Sequence, residues 1–223
     1  ANNTVELNGD TSLNVGAVQG GTVTLTGGSV TATGTVQSTA AKVIVGKADK
    51  KIGNIKLEGD VTGATGVDIY SSIDAKVKGI TATNGNILLD VKDITANGTI
   101  NASNGYVTMT GTGNDTFVAI SARDYIELDG GDAATITLNG NVSADGDSLK
   151  DGNGVVVSGN IVNVNANVTA EKGDVKLAAK ESLTITAGTG TTANAVTATE
   201  NNVVLVADNV TAAGDIVATG GSI

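Results

Sequence analysis

The chain has 223 residues and a formal net charge of -10 at neutral pH, with 13 Lys and Arg against 23 Asp and Glu. This acidic balance disfavours nucleic acid and anionic membrane surfaces as partners, because both carry dense negative charge. Cys and His are absent, which excludes disulfides, Cys-ligated metals and the commonest general base in enzymes. No apolar run reaches the length of a membrane-spanning helix, so we expect no membrane insertion.

From the first residues onward, an apolar pair with one residue between its members recurs roughly every 20 residues, which is typical of a solenoid. Alternation along a strand sends both members of a pair to one side and the residue between them to the other. The ten pairs are Val5/Leu7, Val23/Leu25, Val43/Val45, Val67/Ile69, Ile87/Leu89, Val107/Met109, Ile126/Leu128, Val155/Val157, Val175/Leu177 and Val203/Leu205.

A second ladder begins further along the chain, where a Val or Ile is followed two residues later by Ala. Its members are Ile80/Ala82, Ile100/Ala102, Ile120/Ala122, Val142/Ala144, Val168/Ala170, Val196/Ala198 and Ile216/Ala218. By subtraction of residue numbers, successive members are 20, 20, 22, 26, 28 and 20 residues apart. Asn, Asp and Gly separate the short β-type runs, because these residues turn the backbone readily.

The two ladders predict an all-β fold, a parallel β-helix of about ten coils with roughly 20 residues in each. No run has the spacing of an amphipathic helix, so each inward ladder must be buried by the next coil. Aromatic residues make up only 2% of the chain, which suits a narrow interior filled by aliphatic stacks. A β-sandwich or barrel is the alternative, although neither requires a period held over the whole length. We expect residues 1–223 to form a single β-helical domain, a segment of a longer shaft.

Three segments interrupt the repeat and are predicted to be loops, near residues 46–54, 145–154 and 187–195. The first carries the sequence GKADKK, the densest positive charge in the chain. It is either a contact loop or a solvated corner. The third is small and polar and contains no pairing of a nucleophile with a base.

Three carboxylates in the second loop are candidate metal ligands. Asp145, Asp147 and Asp151 alternate with Gly and resemble a calcium loop, because hard cations take several oxygen ligands from a flexible turn. However, Leu149 occupies a position where a further oxygen ligand would be expected, and no Glu closes the loop. No other cofactor is predicted.

Two further pairs of residues are candidate sites. Asp129 and Asp132, in LDGGDAAT, are the best carboxylates for cleaving a polysaccharide. The lack of nearby aromatic residues and the presence of only one Arg oppose this role, so we predict that the protein is not an enzyme. Tyr106 and Tyr125 occupy the same register one coil apart, and they form either a structural stack or a platform for a glycan.

Thr at alternate positions, as in TVTLT and TATGT, raises an ice-binding alternative. A straight row of outward Thr side chains on a β-helix can order water. Against this alternative, the Thr positions move between faces from coil to coil, and Asp, Lys and Asn interrupt them. Thr is also a good residue for the exposed side of any strand.

Units such as GNILLDVKDITANGTINASNG, DYIELDGGDAATITLNGNVSAD and GDVKLAAKESLTITAGTG resemble the repeats of filamentous haemagglutinins and related large exoproteins exported by two-partner secretion. The resemblance covers nearly the whole chain and implies a right-handed parallel β-helix. The Asn-Pro motifs of that family's amino-terminal secretion domain are absent, since the chain has no Pro. The resemblance therefore places this segment in the repeat shaft.

The resemblance also implies a function and a location. A protein of this kind is secreted across the outer membrane of a Gram-negative bacterium by a dedicated transporter and displayed on the cell surface. It serves there as an adhesin that mediates attachment or aggregation in a biofilm, with host or neighbouring cells, and glycans on them, as partners. The alternative is a filament subunit joined end to end, because the first and last units carry no capping element.

Overall fold

The computed structural model describes residues 3–186 and 195–223. Parallel strands form one continuous sheet, coiled into a β-solenoid of about 10 turns that lie roughly 20 residues apart. The predicted fold class is confirmed. The strands alternate buried and exposed side chains along most of their length. This alternation is expected when one side of a sheet faces the core and the other faces solvent.

The elements follow one another with short connections. The strands are β1 (Thr4–Gly9), β2 (Leu13–Val15), β3 (Val18–Gly20), β4 (Thr22–Gly27), β5 (Ser29–Ala32), β6 (Val36–Ser38), β7 (Lys42–Val45), β8 (Ile52–Leu57), β9 (Val61–Gly63), β10 (Gly66–Val77), β11 (Ile80–Ala82), β12 (Asn86–Asp90), β13 (Asp93–Ala102), β14 (Val107–Thr110), β15 (Asn114–Ala122), β16 (Ile126–Asp129), β17 (Thr135–Leu138), β18 (Val142–Ala144), β19 (Asn153–Val164), β20 (Val168–Ala170), β21 (Asp174–Ile185), β22 (Ala195–Ala198), β23 (Val203–Val206), β24 (Asn209–Ala212) and β25 (Asp215–Ala218). One 3-10 turn, Gly131–Ala133, lies between β16 and β17.

The strands stack into three faces, and each strand pairs with its equivalent in the next coil. Face 1 contains β1, β4, β7, β12, β14, β16 and β23 with the first parts of β10, β19 and β21. Face 2 contains β2, β5, β8, β17 and β24, the later parts of β10, β19 and β21, and the first parts of β13 and β15. Face 3 contains β3, β6, β9, β11, β18, β20, β22 and β25 with the later parts of β13 and β15. Coils 1 to 10 are numbered by the strand that opens each on face 1.

Both predicted ladders are inward and in register. On face 1, Val5 pairs with Val23 and Leu7 with Leu25, and the equivalent pairing continues through every coil to Val203 and Leu205. On face 3 the ladder that begins at Ile80 continues in the same way to Ile216. Equivalent aliphatic side chains therefore lie over one another, about 4.8 Å apart along the axis.

Face 2 supplies a third inward ladder, next to the other two in the common interior. Its leading positions, paired coil by coil, are Leu13, Val30, Ile55, Ala75, Ile94, Asp115, Ile136, Val162, Leu183 and Val210. Nine of these ten are apolar, and the exception, Asp115, lies inside the core with no exposed surface. The interior is mainly aliphatic, and Phe117 is its largest fully buried side chain. Ser38, Asp68 and Ser71 are the other buried polar residues in the described part of the chain.

The first two predicted loops lie at corners between faces and are shorter than expected. The first spans residues 46–51, because Ile52 starts β8 and is 1% exposed. Gly46 begins this loop with a φ of +84° and packs so closely that an added Cβ would lie 2.5 Å from the Tyr70 carbonyl oxygen. The second spans residues 145–152. The third loop was predicted near residues 187–195, and residues 187–194 lie outside the described part of the chain.

The two outermost coils have one open side each. The strands of coil 1 pair only with coil 2, and those of coil 10 only with coil 9. Their aliphatic residues pack against the core but are only partly buried, including Val5, Leu7, Leu205 and Ile216. Val210 is 47% exposed at a position that is fully buried in most other coils.

Candidate binding surface

The second loop, which held the calcium candidates, is an ion-paired corner. Asp147 lies between two cations: its Oδ2 is 2.7 Å from Arg123 Nε and its Oδ1 is 3.2 Å from Lys172 Nζ. Hydrogen bonds from Arg123 and Lys172 lower the pKa of Asp147 below its ordinary value. The three residues come from successive coils, so this cluster joins corners along the rod.

Asp145 and Asp151 do not join Asp147 in a metal-binding group. Within residues 3–186 and 195–223, no three His, Cys, Asp or Glu side chains are placed together to hold a metal ion. Asp151 has a φ of +52°, and its carbonyl oxygen accepts a hydrogen bond from the Asn153 amide. Calcium binding by this loop remains a prediction, and any cation would compete with Arg123 and Lys172 for Asp147.

Asp129 ends β16 just before the 3-10 turn at the corner between faces 1 and 2, and Asp132 lies within that turn. Asp129 Oδ1 accepts hydrogen bonds from the Gly131 amide at 3.0 Å and from Ser158 Oγ at 3.1 Å. Asp132 is 90% exposed and lies 3.3 Å from Lys180 Nζ. Asp129 therefore stabilises the turn and Asp132 forms a surface ion pair, which gives the two carboxylates different partners.

Tyr106 and Tyr125 stack on each other at the edge of face 1, as their shared register predicted. Their ring centroids are 4.7 Å apart and the ring planes differ by 13°. Both rings are half-buried, and burial raises the pKa of Tyr125. Next to them, Glu127 Oε2 accepts a hydrogen bond from Lys150 Nζ at 2.5 Å. The stacked Tyr106 and Tyr125 rings link coils 6 and 7 on the outside of the rod.

The outward residues of face 2 fall into two regions with different chemistry. In coils 3 and 4 the central outward column contains Lys56 and Lys76, which pair in register. Lys56 Nζ lies 2.5 Å from Glu58, and Lys76 Nζ lies 3.3 Å from Asp74. We call this region the charged half of face 2.

From coil 6 to coil 10 the same face carries no charged residue at its outward positions. The central column contains Thr116, Thr137, Asn163, Thr184 and Thr211, and it continues Thr95 of coil 5. The column before it contains Asn114, Thr135, Ile161, Ser182 and Asn209, and the column after it contains Val118, Asn139, Asn165, Thr186 and Ala213. We call these fifteen residues the threonine array.

Hydrogen bonding differs between the columns of the threonine array. The amide of Asn165 donates to Asn139 Oδ1 at 2.9 Å, and Thr186 Oγ1 lies 3.2 Å from Asn165 Oδ1. In the central column, by contrast, the side chains of Thr116, Thr137, Asn163, Thr184 and Thr211 have no hydrogen-bond partner among the described residues. The array therefore presents one row of unpaired polar groups beside a row in which Asn139, Asn165 and Thr186 bind one another.

Asp115 lies directly beneath the start of the threonine array and faces the interior. Its Oδ1 accepts a hydrogen bond from the Ile94 amide at 3.1 Å, whereas Oδ2 has no partner among the described residues. Burial raises the pKa of Asp115 to about 7, opposed in part by the Ile94 amide and reinforced by the charge of Asp93. This carboxyl group was not identified from the sequence, although Phe117 two residues later indicates an inward register.

In the described part of the chain, no helix has the length and apolar character needed to span a bilayer. Comparison of the chain with protein-family models, curated proteins and solved structures yields no match.

Proposed function

We propose that this protein is the structural shaft of a secreted adhesin on the surface of a Gram-negative bacterium, mediating attachment or aggregation. The observation that carries the proposal is the uninterrupted stacking of about ten coils on three faces. Backbone hydrogen bonds and aliphatic contacts join each coil to the next, so the molecule is a stiff rod roughly 45–50 Å long at about 4.8 Å per coil.

A rod of this kind suits display better than catalysis. Two of the candidate carboxylates at its corners, Asp147 and Asp132, are engaged in ion pairs with Arg123, Lys172 and Lys180. Its inward ladders are interchangeable from coil to coil, so length can be added without changing the fold. The sequence resemblance to filamentous haemagglutinin repeats supports export through an outer-membrane transporter, and cell surfaces and their glycans are the proposed partners.

Electron microscopy of the protein isolated from its source tests the shaft. We expect thin, surface-attached rods much longer than about 50 Å, each formed by one continuous chain according to its mass. Short monomeric rods free in solution would contradict the proposal. Deleting the gene should also reduce cell attachment or aggregation, and unchanged attachment would contradict the adhesive role even if the rods are present.

A second candidate is a filament whose subunits join end to end. It is favoured by the open strand edges and half-exposed aliphatic residues of coils 1 and 10, since unpaired edges invite further strands. Size-exclusion chromatography over a concentration series separates the candidates. A filament subunit elutes progressively earlier as its concentration rises, whereas an isolated piece of shaft with no assembly role stays monomeric.

A further inference from the structure

The central column of the threonine array is a regular surface feature to which the shaft function assigns no role. Thr116, Thr137 and Asn163 lie directly over one another without a register shift on this face, and Thr184 and Thr211 continue the row. Each Thr presents a methyl group and a hydroxyl group that has no partner among the described residues. The row therefore offers apolar contacts and hydrogen bonds with one common period of about 4.8 Å.

The chemistry of the array excludes most other kinds of partner. None of its fifteen residues is charged or aromatic, so it has neither ion pairs for a charged ligand nor a ring on which a sugar can stack. Five strands with three outward positions each cover about 500 Å², estimated from strand spacing and rise. A stable protein interface needs about 800 Å² from each partner and a more apolar centre.

A neutral, repeating and hydrogen-bonding partner remains, and we propose that the threonine array binds ice. The hydroxyl and amide groups of the central column fix the water molecules at the crystal surface, and the methyl groups of the same Thr residues pack into the spaces between them. The uncharged face matters because a charged side chain would hold its own hydration water and prevent contact with a neutral lattice.

This proposal revises the interpretation of the Thr positions made from sequence. Thr residues do lie on different faces in coil 2, where TVTLT belongs to face 1 and TATGT begins on face 2. From coil 5 onward, however, the central column of face 2 carries Thr in every coil except coil 8, where Asn163 takes its place. Other Thr residues, such as Thr108 and Thr169, remain on faces 1 and 3. The proposal stands independently of the shaft function, since it concerns one face of the rod wherever the protein is located.

Partition of the full 223-residue chain into slowly growing ice tests the proposal. We expect the parent protein to be enriched in the ice fraction. Thr137→Lys combined with Thr184→Lys should lower that enrichment by roughly tenfold, because each new ammonium loses hydration without gaining a partner. Lys is compatible with this column, since Lys56 and Lys76 occupy it in coils 3 and 4. Each substitution is also made singly, so the test survives if the double variant does not fold.

The matched control is Thr31→Lys, which introduces the same charge into the same column of face 2 but in coil 2, outside the array. It should partition into ice like the parent. Exclusion of the parent from ice overturns the proposal, as does equal enrichment of the parent and the array variants, or equal loss in the Thr31→Lys control. Binding of the parent to an insoluble neutral glucan, without enrichment in ice, would overturn it in favour of a polysaccharide partner.

Discussion

The charged half and the threonine array occupy the same face of the same rod, yet they share almost no surface chemistry. Lys56 and Lys76 are followed in their column by Thr95, Thr116 and Thr137. Beneath both regions the inward ladder stays apolar except at Asp115. In this solenoid the inward residues determine the fold, and the outward residues are free to change in blocks. A contrast between outward blocks is therefore better evidence of function than the fold itself.

The strongest test of this separation places one charge inside and one outside the same strand. Ile100 has no exposed surface and stacks between Ile80 and Ile120, whereas its neighbour Asn101 faces outward. Ile100→Asp should lower the free energy of unfolding by about 3–5 kcal/mol, as for an unpaired buried charge, while Asn101→Asp should change it by less than about 0.5 kcal/mol. Urea denaturation measures both. Equal stability of the two variants would mean that the inward register is wrong.

Asp115 makes the interior beneath the threonine array the place where the stability of the rod should depend on pH. Its pKa of about 7 in the folded chain lies above the ordinary value of 3.8. As pH rises past about 4, the unfolded chain loses this proton first. Stability should therefore fall, by up to about 1.4 kcal/mol per pH unit, and level off above about pH 7, where the folded carboxyl is also ionised.

The matched variant for this prediction is Asp115→Asn, which keeps an oxygen for the Ile94 amide but cannot ionise. Thermal melts of parent and variant from pH 4 to pH 8 isolate the contribution, because other titrating groups cancel in the difference between the two proteins. We expect the variant to gain stability relative to the parent as pH rises. A constant difference across this range would show that Asp115 titrates normally.

Substitutions in the stacked pair Tyr106 and Tyr125 should have a smaller effect on the free energy of unfolding, because this contact lies on the outside of the rod and joins only two coils. Tyr106→Ala and Tyr125→Ala should show a coupling energy of about 0.5–1.5 kcal/mol in a double-mutant cycle, because their stacked rings contact each other directly. Thr116→Ala and Thr137→Ala, also in adjacent coils but with unpaired hydroxyl groups, supply the comparison. A coupling in the Thr pair as large as in the Tyr pair would show that the array is a structural ladder.

The smallest expected effect comes from converting the charged half. Lys56→Thr with Lys76→Thr removes two exposed ion pairs, each worth about 0–1 kcal/mol. It also removes the repulsion between two Lys side chains paired across neighbouring strands. Thermal melting should therefore report a net change within about 1 kcal/mol. A large loss would show that outward charges stabilise the coils of this half.

The sequence alone predicted the parts of the fold that depend on period. Ten apolar pairs on face 1 and seven on face 3 repeat so regularly that their register followed from counting, and the structure confirms it. The ends of the corner loops were less predictable. Ile52 was assigned to a loop because a charged run precedes it, although its buried side chain belongs to β8.

The arrangement of outward residues was harder to predict from the sequence. The corner connections differ in length, and their lengths decide which outward residues lie over one another in neighbouring coils. The threonine array appears only after the variable connections that precede β15, β17, β19 and β21 are placed at corners. Asp115 was missed for a different reason. An Asp in a strand is usually exposed, but the alternation through Asn114, Asp115 and Thr116, in phase with the inward Phe117, directs this side chain into the core.

Each inner coil pairs only with the coil before it and the coil after it, which affects how such a chain can change over generations. Coil 5, residues 86–105, contacts coils 4 and 6 through ladders whose members are interchangeable: Ile69, Leu89 and Met109 follow one another at a single position. Removing or duplicating that segment would join equivalent ladders again. Replication slippage between repeats could therefore lengthen or shorten the protein by whole coils, making its length a heritable variable that can adjust faster than its fold.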